Sequence, residues 1–171
     1  MTWIKPNFLW MMYRSGWGTK QGQEVTLAIT LRRSAFDEIL AQAVHSKFIP
    51  KLYPTQKDWK RAVQNSNVRL QWDPDHSPSG GKLQRRAIQL GLQREVSRKY
   101  AKEWIISIED ISDFVAEQRL HMLARDYESL LTPAEYPYKV ENPEVAQHLQ
   151  LSEFEKLRSP TSSTALRKSK I

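Results

Sequence analysis

One cation set in a strongly apolar segment is the first place where this sequence could do chemistry. Residues 3–17 hold Trp3, Phe8, Trp10, Tyr13 and Trp17, with Leu9, Met11 and Met12 between them and Arg14 in their midst. Trp10 precedes Arg14 by one helical turn and Trp17 follows it by three residues, so either indole can stack on the guanidinium, a contact worth about 0.5–2 kcal/mol. A buried, unpaired charge is costly, so Arg14 calls for an anion. That anion is a carboxylate of the protein or a ligand phosphate, which the guanidinium fork matches well. An internal ion pair is the more ordinary outcome, and core packing is the ordinary role of such aromatics.

A second candidate lies at residues 87–92. Ile88, Leu90 and Leu92 alternate with Ala87, Gln89 and Gly91. An amide flanked by Ala and Gly has free space beside it, and glycine within a strand often marks close approach by a ligand or another backbone. A bulge or tight helix packing explains the same glycine. Arg69 and Gln71 alternate in the same way with Val68, Leu70 and Trp72, so pairing of the two segments would put Arg69, Gln71 and Gln89 on one polar patch. Lys82, Arg85, Arg86, Arg94, Arg98 and Lys102 make residues 82–102 the most basic stretch, with Arg94, Arg98 and Lys102 spaced by four. Such a face suits phosphate tracking on nucleic acid, or simply solvation. Asp73, Asp75 and His76 have the ligand types for a hard cation, but the loop lacks the remaining oxygens of a calcium site, and Asx-type turns account for them. No metal is expected.

Better-known site motifs fail on spacing. Gly16, Gly18 and Gly22 miss the dinucleotide fingerprint by one position and stand between a helix and a strand in the wrong order. Gly80-Gly81-Lys82 is followed by Leu83 where a phosphate loop needs Ser or Thr. His45, His76, His121 and His148 are far apart, and there is no cysteine. Zinc sites of the Cys type, disulfides and Cys nucleophiles are thereby excluded.

The elements that must position these residues are of both kinds. Residues 6–15 predict a helix ended by Gly16, and residues 24–32 a strand. Ser34 caps a helix carrying Phe36, Ile39, Leu40, Ala43 and Val44. Thr55 with Asp58 resembles a capping box for a helix to about residue 64 that buries Trp59 and Val63. Val68–Trp72, Ile88–Leu92 and Trp104–Ile108 alternate as strands, with residues 73–82 as a loop and 93–102 as a helix. A further helix starts at Asp110 or Ser112, with Ile111, Phe114, Val115, Gln118 and Met122 on one side. Asn142-Pro143 opens a short helix over 143–157. Strands and helices are interspersed without strict alternation, which predicts an α+β fold: one domain of mixed, mainly antiparallel small sheets with packed helices. The organisation is a globular core over 1–131, a Pro-punctuated segment with a short docking helix over 132–157, and a basic, disordered tail over 158–171.

Charge divides along the chain. Residues 1–102 carry 18 Lys/Arg against 7 Asp/Glu, residues 103–157 carry 4 against 12, and the net charge is +7. A basic front with an acidic back can steer a polyanion. No apolar run approaches the roughly 18 residues of a membrane span, and the first residues lack the pattern of an export signal. A cytoplasmic protein is expected, with no membrane partner and an oligomeric state that the sequence leaves open.

The run Trp3-Ile4-Lys5-Pro6-Asn7-Phe8-Leu9-Trp10-Met11-Met12-Tyr13-Arg14-Ser15-Gly16-Trp17 resembles the signature of the bacterial domain-of-unknown-function family 4291. Agreement continues through Leu31-Arg32-Arg33 and Phe36. It resumes at Gln71-Trp72-Asp73-Pro74, at Arg86-Ala87-Ile88-Gln89-Leu90-Gly91-Leu92, and from Glu103-Trp104-Ile105 through Asp110. That pattern is in turn distantly similar to the ADP-ribosyltransferase superfamily, whose members split NAD in a cleft between two small sheets. The resemblance implies an ADP-ribosyltransferase-like fold lacking the family's first strand, since relatives carry a strand-forming segment with an arginine upstream of the Trp-Ile-Lys-Pro motif. Either the start codon is assigned too late or the chain is a shortened form, and a sheet edge could be left unpaired.

A nucleotide-using, NAD-dependent enzyme or a decayed relative is therefore the leading expectation. Arg14 or Arg86 would grip the pyrophosphate, Trp17 or Trp72 would stack on a ring, and Gln89 or Glu109 would act near the ribose. The alternatives are a nucleic-acid-binding module using residues 82–102 and a ligand-free interaction protein.

Overall fold

The computed structural model describes residues 1–151. In chain order these form β1 (Thr2–Ile4), α1 (Phe8–Ser15), β2 (Leu27–Leu31), α2 (Arg33–Ala41), β3 (Ala43–His45), α3 (Gln56–Asn65), β4 (Val68–His76), β5 (Lys82–Leu92), α4 (Arg94–Lys99), β6 (Ile105–Asp110), α5 (Ser112–Ala124) and α6 (Pro143–His148). A π-helical turn, Tyr100–Trp104, joins α4 to β6. Two small sheets result, one of four strands in the order β1-β5-β4-β3 and one of β2 with β6. All pairings are antiparallel except that of β3 with β4. The fold is α+β, as the interspersed pattern predicts.

Alternation along β4 and β5 decides the main sheet. Val68, Leu70, Leu90 and Leu92 share one face and are fully buried. The ladder continues into residues 73–82, expected as a loop. Ser77 N donates to Gly81 O at 2.8 Å and Gly80 N to Ser77 O at 2.9 Å, so only a tight turn separates the strands. Pro74 stands where the register shifts; at such an irregularity the missing N–H disturbs the ladder least.

Two strands were not foreseen. Thr2–Ile4 pairs with Leu92–Leu90 along one edge of the sheet. Ala43–His45, assigned to a helix by its apolar spacing, leaves α2 after Ala41 and pairs with Val68–Leu70, burying Ala43 and His45. The sheet supplies these three residues with backbone partners, and that outweighs local helix propensity.

Caps are placed as their residue types direct. Gly16 ends α1 in the left-handed region at φ 60°, and Trp17 N donates to Met12 O at 2.8 Å. Thr55 Oγ1 accepts from Asp58 N at 3.1 Å and donates to Asp58 Oδ2 at 2.7 Å at the start of α3. Ser34 does not cap α2; Arg32 takes that position without a side-chain bond. The helix expected over 93–102 stops being α-helical at Lys99, and the π-helical turn breaks the four-residue spacing that placed Lys102 beside Arg98.

A second cluster joins α1 to α5. Met12, Trp17 and Val115 are buried there, with Phe8, Leu9, Met11, Ile111, Phe114, Met122 and Leu130 packed around them. The alternation of β2 and β6 gives strands but not burial: Leu27 is 50%, Ile106 62% and Ile108 58% exposed. The compact unit runs past residue 131 to Tyr138. Glu135 Oε1 accepts from Phe8 N at 2.7 Å, and the Tyr138 hydroxyl donates to Asp37 Oδ1 at 2.7 Å. In the second unit, from Lys139 on, Asn142 Oδ1 accepts from Glu144 N at 2.9 Å and caps α6. That helix ends at His148, short of residue 157. The rest of the expected helix and the tail over 158–171 lie outside the described residues. No helix among the described residues is long and apolar enough to cross a membrane.

One buried polar ring stands out. His76 is 3% exposed and stacks on Tyr13 with centroids 3.6 Å apart and planes at 9°. Neither of its ring nitrogens has a hydrogen-bond partner among the described residues. Burying unsatisfied polar atoms costs about 1–3 kcal/mol. His76→Phe keeps a stacking ring and removes both nitrogens. Thermal denaturation should show a higher midpoint, each kcal/mol gained raising it by roughly 2–4 °C. A lower midpoint would show that the imidazole is satisfied, for example by water.

Candidate functional site

Pairing of β4 with β5 sets Gln71 directly opposite Gln89 and Arg69 opposite Gly91. The polar residues of the two strands therefore share one sheet face. Asp73 binds both amides: Gln71 Nε2 donates to its Oδ1 at 3.0 Å and Gln89 Nε2 to its Oδ2 at 2.8 Å. β1 lies beside β5 with Trp3 opposite Gly91. A Cβ on Gly91 would stand 3.0 Å from two atoms of the Trp3 ring and 2.8 Å from Met1 Sδ. The glycine is thus explained by the passage of Trp3 and Met1 from the neighbouring strand.

Over this face opens a cleft of about 600 Å³ lined by Trp3, Lys5, Met11, Arg14, Gly22, Gln23, Val25, Gln71 and Gln89. Its size falls within the range of roughly 300–1,000 Å³ usual for small-molecule sites. The sheet supplies the two glutamines, the end of β1 supplies Trp3 and Lys5, α1 supplies Met11 and Arg14, and the loop before β2 supplies the rest.

Two cations with no counter-charge among the described residues dominate the cleft electrostatically. Arg14 is exposed, and among the described residues it has neither an ion pair nor an aromatic ring over its guanidinium. Of the two anions that the setting of Arg14 calls for, a protein carboxylate is absent among the described residues. Among the described residues Lys5 has only a 3.5 Å contact to Trp3 O. Burial first, and the nearby Arg14 charge second, push the Lys5 ammonium below the ordinary lysine range. A half-buried ammonium facing a guanidinium is a place where an anion relieves both effects.

The residues singled out from the sequence divide among several places. Arg14 and Gln89 line the cleft together. Trp17 is buried against Phe8, ring centroids 6.1 Å apart, and belongs to the α1–α5 core. Trp72 and Arg86 lie on the other face of the β4–β5 ladder, where the Arg86 guanidinium sits 5.4 Å from the Trp72 ring centroid. Burial lowers the Arg86 pKa while the Asp73 charge opposes that shift. Glu109 is exposed on β6, paired with Ala28 in the second sheet. Asp75 is fully buried and holds Arg85 through Nε at 2.8 Å, so Asp73 and Asp75 serve different partners. Among the described residues no group of three or more acidic, His or Cys side chains is arranged to hold a metal.

Sequence reasoning missed Trp3 and Lys5. The signal for Lys5 was a lone cation before Pro6 in an otherwise apolar run, but its neighbourhood depends on β1, which is too short to show a period.

Fold and cleft together define a small α+β domain with a polar, cationic pocket at the junction of a sheet, a helix and a loop. The chain belongs to the family described as a domain of unknown function, DUF4291, whose sequence model matches residues 1–138. No curated protein matches the chain, and no solved structure does.

The charge pair can be tested by titration. In the folded protein the Lys5 ammonium should lose its proton below the ordinary lysine range, because both burial and Arg14 disfavour the charged form. Arg14→Gln should move that titration upward, as should a bound anion. For binding the sign follows: affinity for an anion falls as pH rises through the Lys5 pKa, starting earlier than for an ordinary lysine. Side-chain NMR of Lys5 reads the shift directly, and an unchanged Lys5 titration in Arg14→Gln would remove Arg14 as a cause.

Proposed function

We propose that the domain binds a nucleotide, NAD in the first instance, in this cleft and acts as an ADP-ribosyltransferase-like module. The observation that carries this is the pair Lys5 and Arg14, with no carboxylate partner among the described residues, at the rim of a pocket of nucleotide size. Lys5 and Arg14 take the diphosphate, Arg14 offering the forked geometry that suits phosphate oxygens. Trp3, partly exposed at the cleft wall, takes the ring-stacking role expected of Trp17 or Trp72. Transfer would release nicotinamide from the ribose carbon, with the acceptor forming the new bond there and giving up its proton. Of Gln89 and Glu109, only Gln89 lines the cleft, so it is the residue assigned next to a ribose of the bound nucleotide.

The alternative, nucleic-acid binding along residues 82–102, has less support. Arg85 pairs with Asp75 at 2.6 Å, Arg98 with Glu95 at 2.6 Å and with Glu103 at 3.2 Å, and Lys99 with Glu38 at 3.1 Å. Arg94 donates to Gln64 O at 2.9 Å. These cations already have partners, whereas phosphate tracking draws on free ones.

Thermal denaturation with and without NAD tests the proposal. Ligand at about 100 times its dissociation constant stabilises by about 2.7 kcal/mol, and each kcal/mol moves the midpoint by roughly 2–4 °C. The wild-type chain should show that rise. Lys5→Met with Arg14→Met should abolish it while the unliganded midpoint stays within a few degrees, since both side chains lie at the rim. Absence of any rise in the wild type would overturn the assignment of NAD.

A further inference from the structure

A carboxylate only accepts hydrogen bonds, whereas a glutamine amide donates through nitrogen and accepts through oxygen. Asp73 therefore fixes which end of each glutamine faces it. Both Gln71 and Gln89 turn their NH2 groups to its two oxygens, at 3.0 and 2.8 Å. Neither amide oxygen receives a hydrogen bond from any described residue, and both side chains are half-buried at the cleft. Chemistry settles the amide orientation here, since the opposite flip would set oxygen against oxygen. The cleft thus has two kinds of recognition in different places, a cationic rim at Lys5 and Arg14 and a pair of adjacent acceptors at Gln71 and Gln89.

We infer that the Asp73-oriented amide oxygens of Gln71 and Gln89 form a subsite for a vicinal pair of hydroxyl donors, so that the cleft selects a ribonucleoside diphosphate over a bare diphosphate or a nucleotide whose sugar lacks those hydroxyls. Ligands with an anionic group alone satisfy the rim and leave the acceptors idle. A ribose bears two neighbouring hydroxyls, each able to donate to one oxygen, and the two glutamines are direct cross-strand partners. Side chains directly opposite in an antiparallel pair stand about 4.5–5.5 Å apart at Cβ, a spacing that adjacent sugar hydroxyls can bridge. Asp73 is a positioning residue in this scheme, acting only through the glutamines. The inference rests on the nucleotide assignment above, in which Gln89 already stands next to a ribose, and adds Gln71 as the second acceptor and the preference for a sugar with both hydroxyls.

Calorimetric titration of the full chain with three probes separates the two. ADP should bind tightest, 2′,3′-dideoxy-ADP roughly 5- to 30-fold more weakly for the loss of two hydrogen bonds, and inorganic pyrophosphate weaker than ADP but measurably at low salt. Gln71→Leu with Gln89→Leu should bring ADP down to the dideoxy compound and leave pyrophosphate unchanged. Asp73→Asn can donate to a glutamine oxygen and so lets the amides turn over; it should narrow the same gap without affecting pyrophosphate. Equal affinity for ADP and its dideoxy analogue, with pyrophosphate still bound, overturns the acceptor subsite and leaves the anion cleft standing. Failure of all three probes to bind overturns both. Should Asp73→Asn unfold, the double glutamine variant decides the matter alone.

Discussion

The antiparallel register between β4 and β5 is the constraint on which the rest of this domain depends. It sets Val68, Leu70, Leu90 and Leu92 on the buried face and Gln71 with Gln89 on the other. Slipping one strand by a single residue would send its glutamine to the opposite face, because side chains alternate with a period of two. Every neighbour takes its place from this ladder. β1 adds to one edge at Gly91, where only a glycine leaves room for Trp3, and β3 adds to the other at Val68–Leu70. The turn at Ser77–Gly81 and the Arg85–Asp75 pair hold the far end.

Helix α1 then joins the sheet to the second cluster. Trp10 and Met12 are buried, Phe8 meets Phe114 with ring centroids 6.0 Å apart, and Tyr13 stacks on His76 of β4. A segment with so many aromatics has little polar surface, and Arg14 is the residue on it that reaches solvent with a charge. The helix position that brings Tyr13 to β4 also brings Arg14 toward Lys5, so the cationic rim follows from core packing.

Part of the charge of the basic stretch is neutralised within the fold, while two cations at the cleft have no such partner among the described residues. Arg85, Arg98 and Lys99 have carboxylate partners even though they belong to the most basic stretch of the sequence. Lys5 and Arg14 have none among the described residues, and Arg14 adds to burial in disfavouring the charge on Lys5. The distribution of charge along the chain points to residues 82–102, whereas the two cations that meet at the cleft lie in the segment whose composition reads as core.

Alone, the sequence determined the fold class, the alternating strands Val68–Trp72 and Ile88–Leu92, the ending of α1 at Gly16, the capping of α3 by Thr55 and the family. Each of these rests on local periodicity or on backbone preferences of single residues, which neighbours in sequence suffice to express. Tertiary structure alone decided that Thr2–Ile4 and Ala43–His45 are strands, since three residues carry no readable period and the sheet provides their partners. It also decided which candidate residues meet. Arg14 and Gln89 converge on one cleft, Trp17 enters the core, Trp72 and Arg86 take the opposite sheet face, and Glu109 lies in the other sheet. Residue type records what chemistry a side chain can do; which face it occupies, and beside whom, is fixed by strand register and helix placement, and those arise only from contacts distant in sequence.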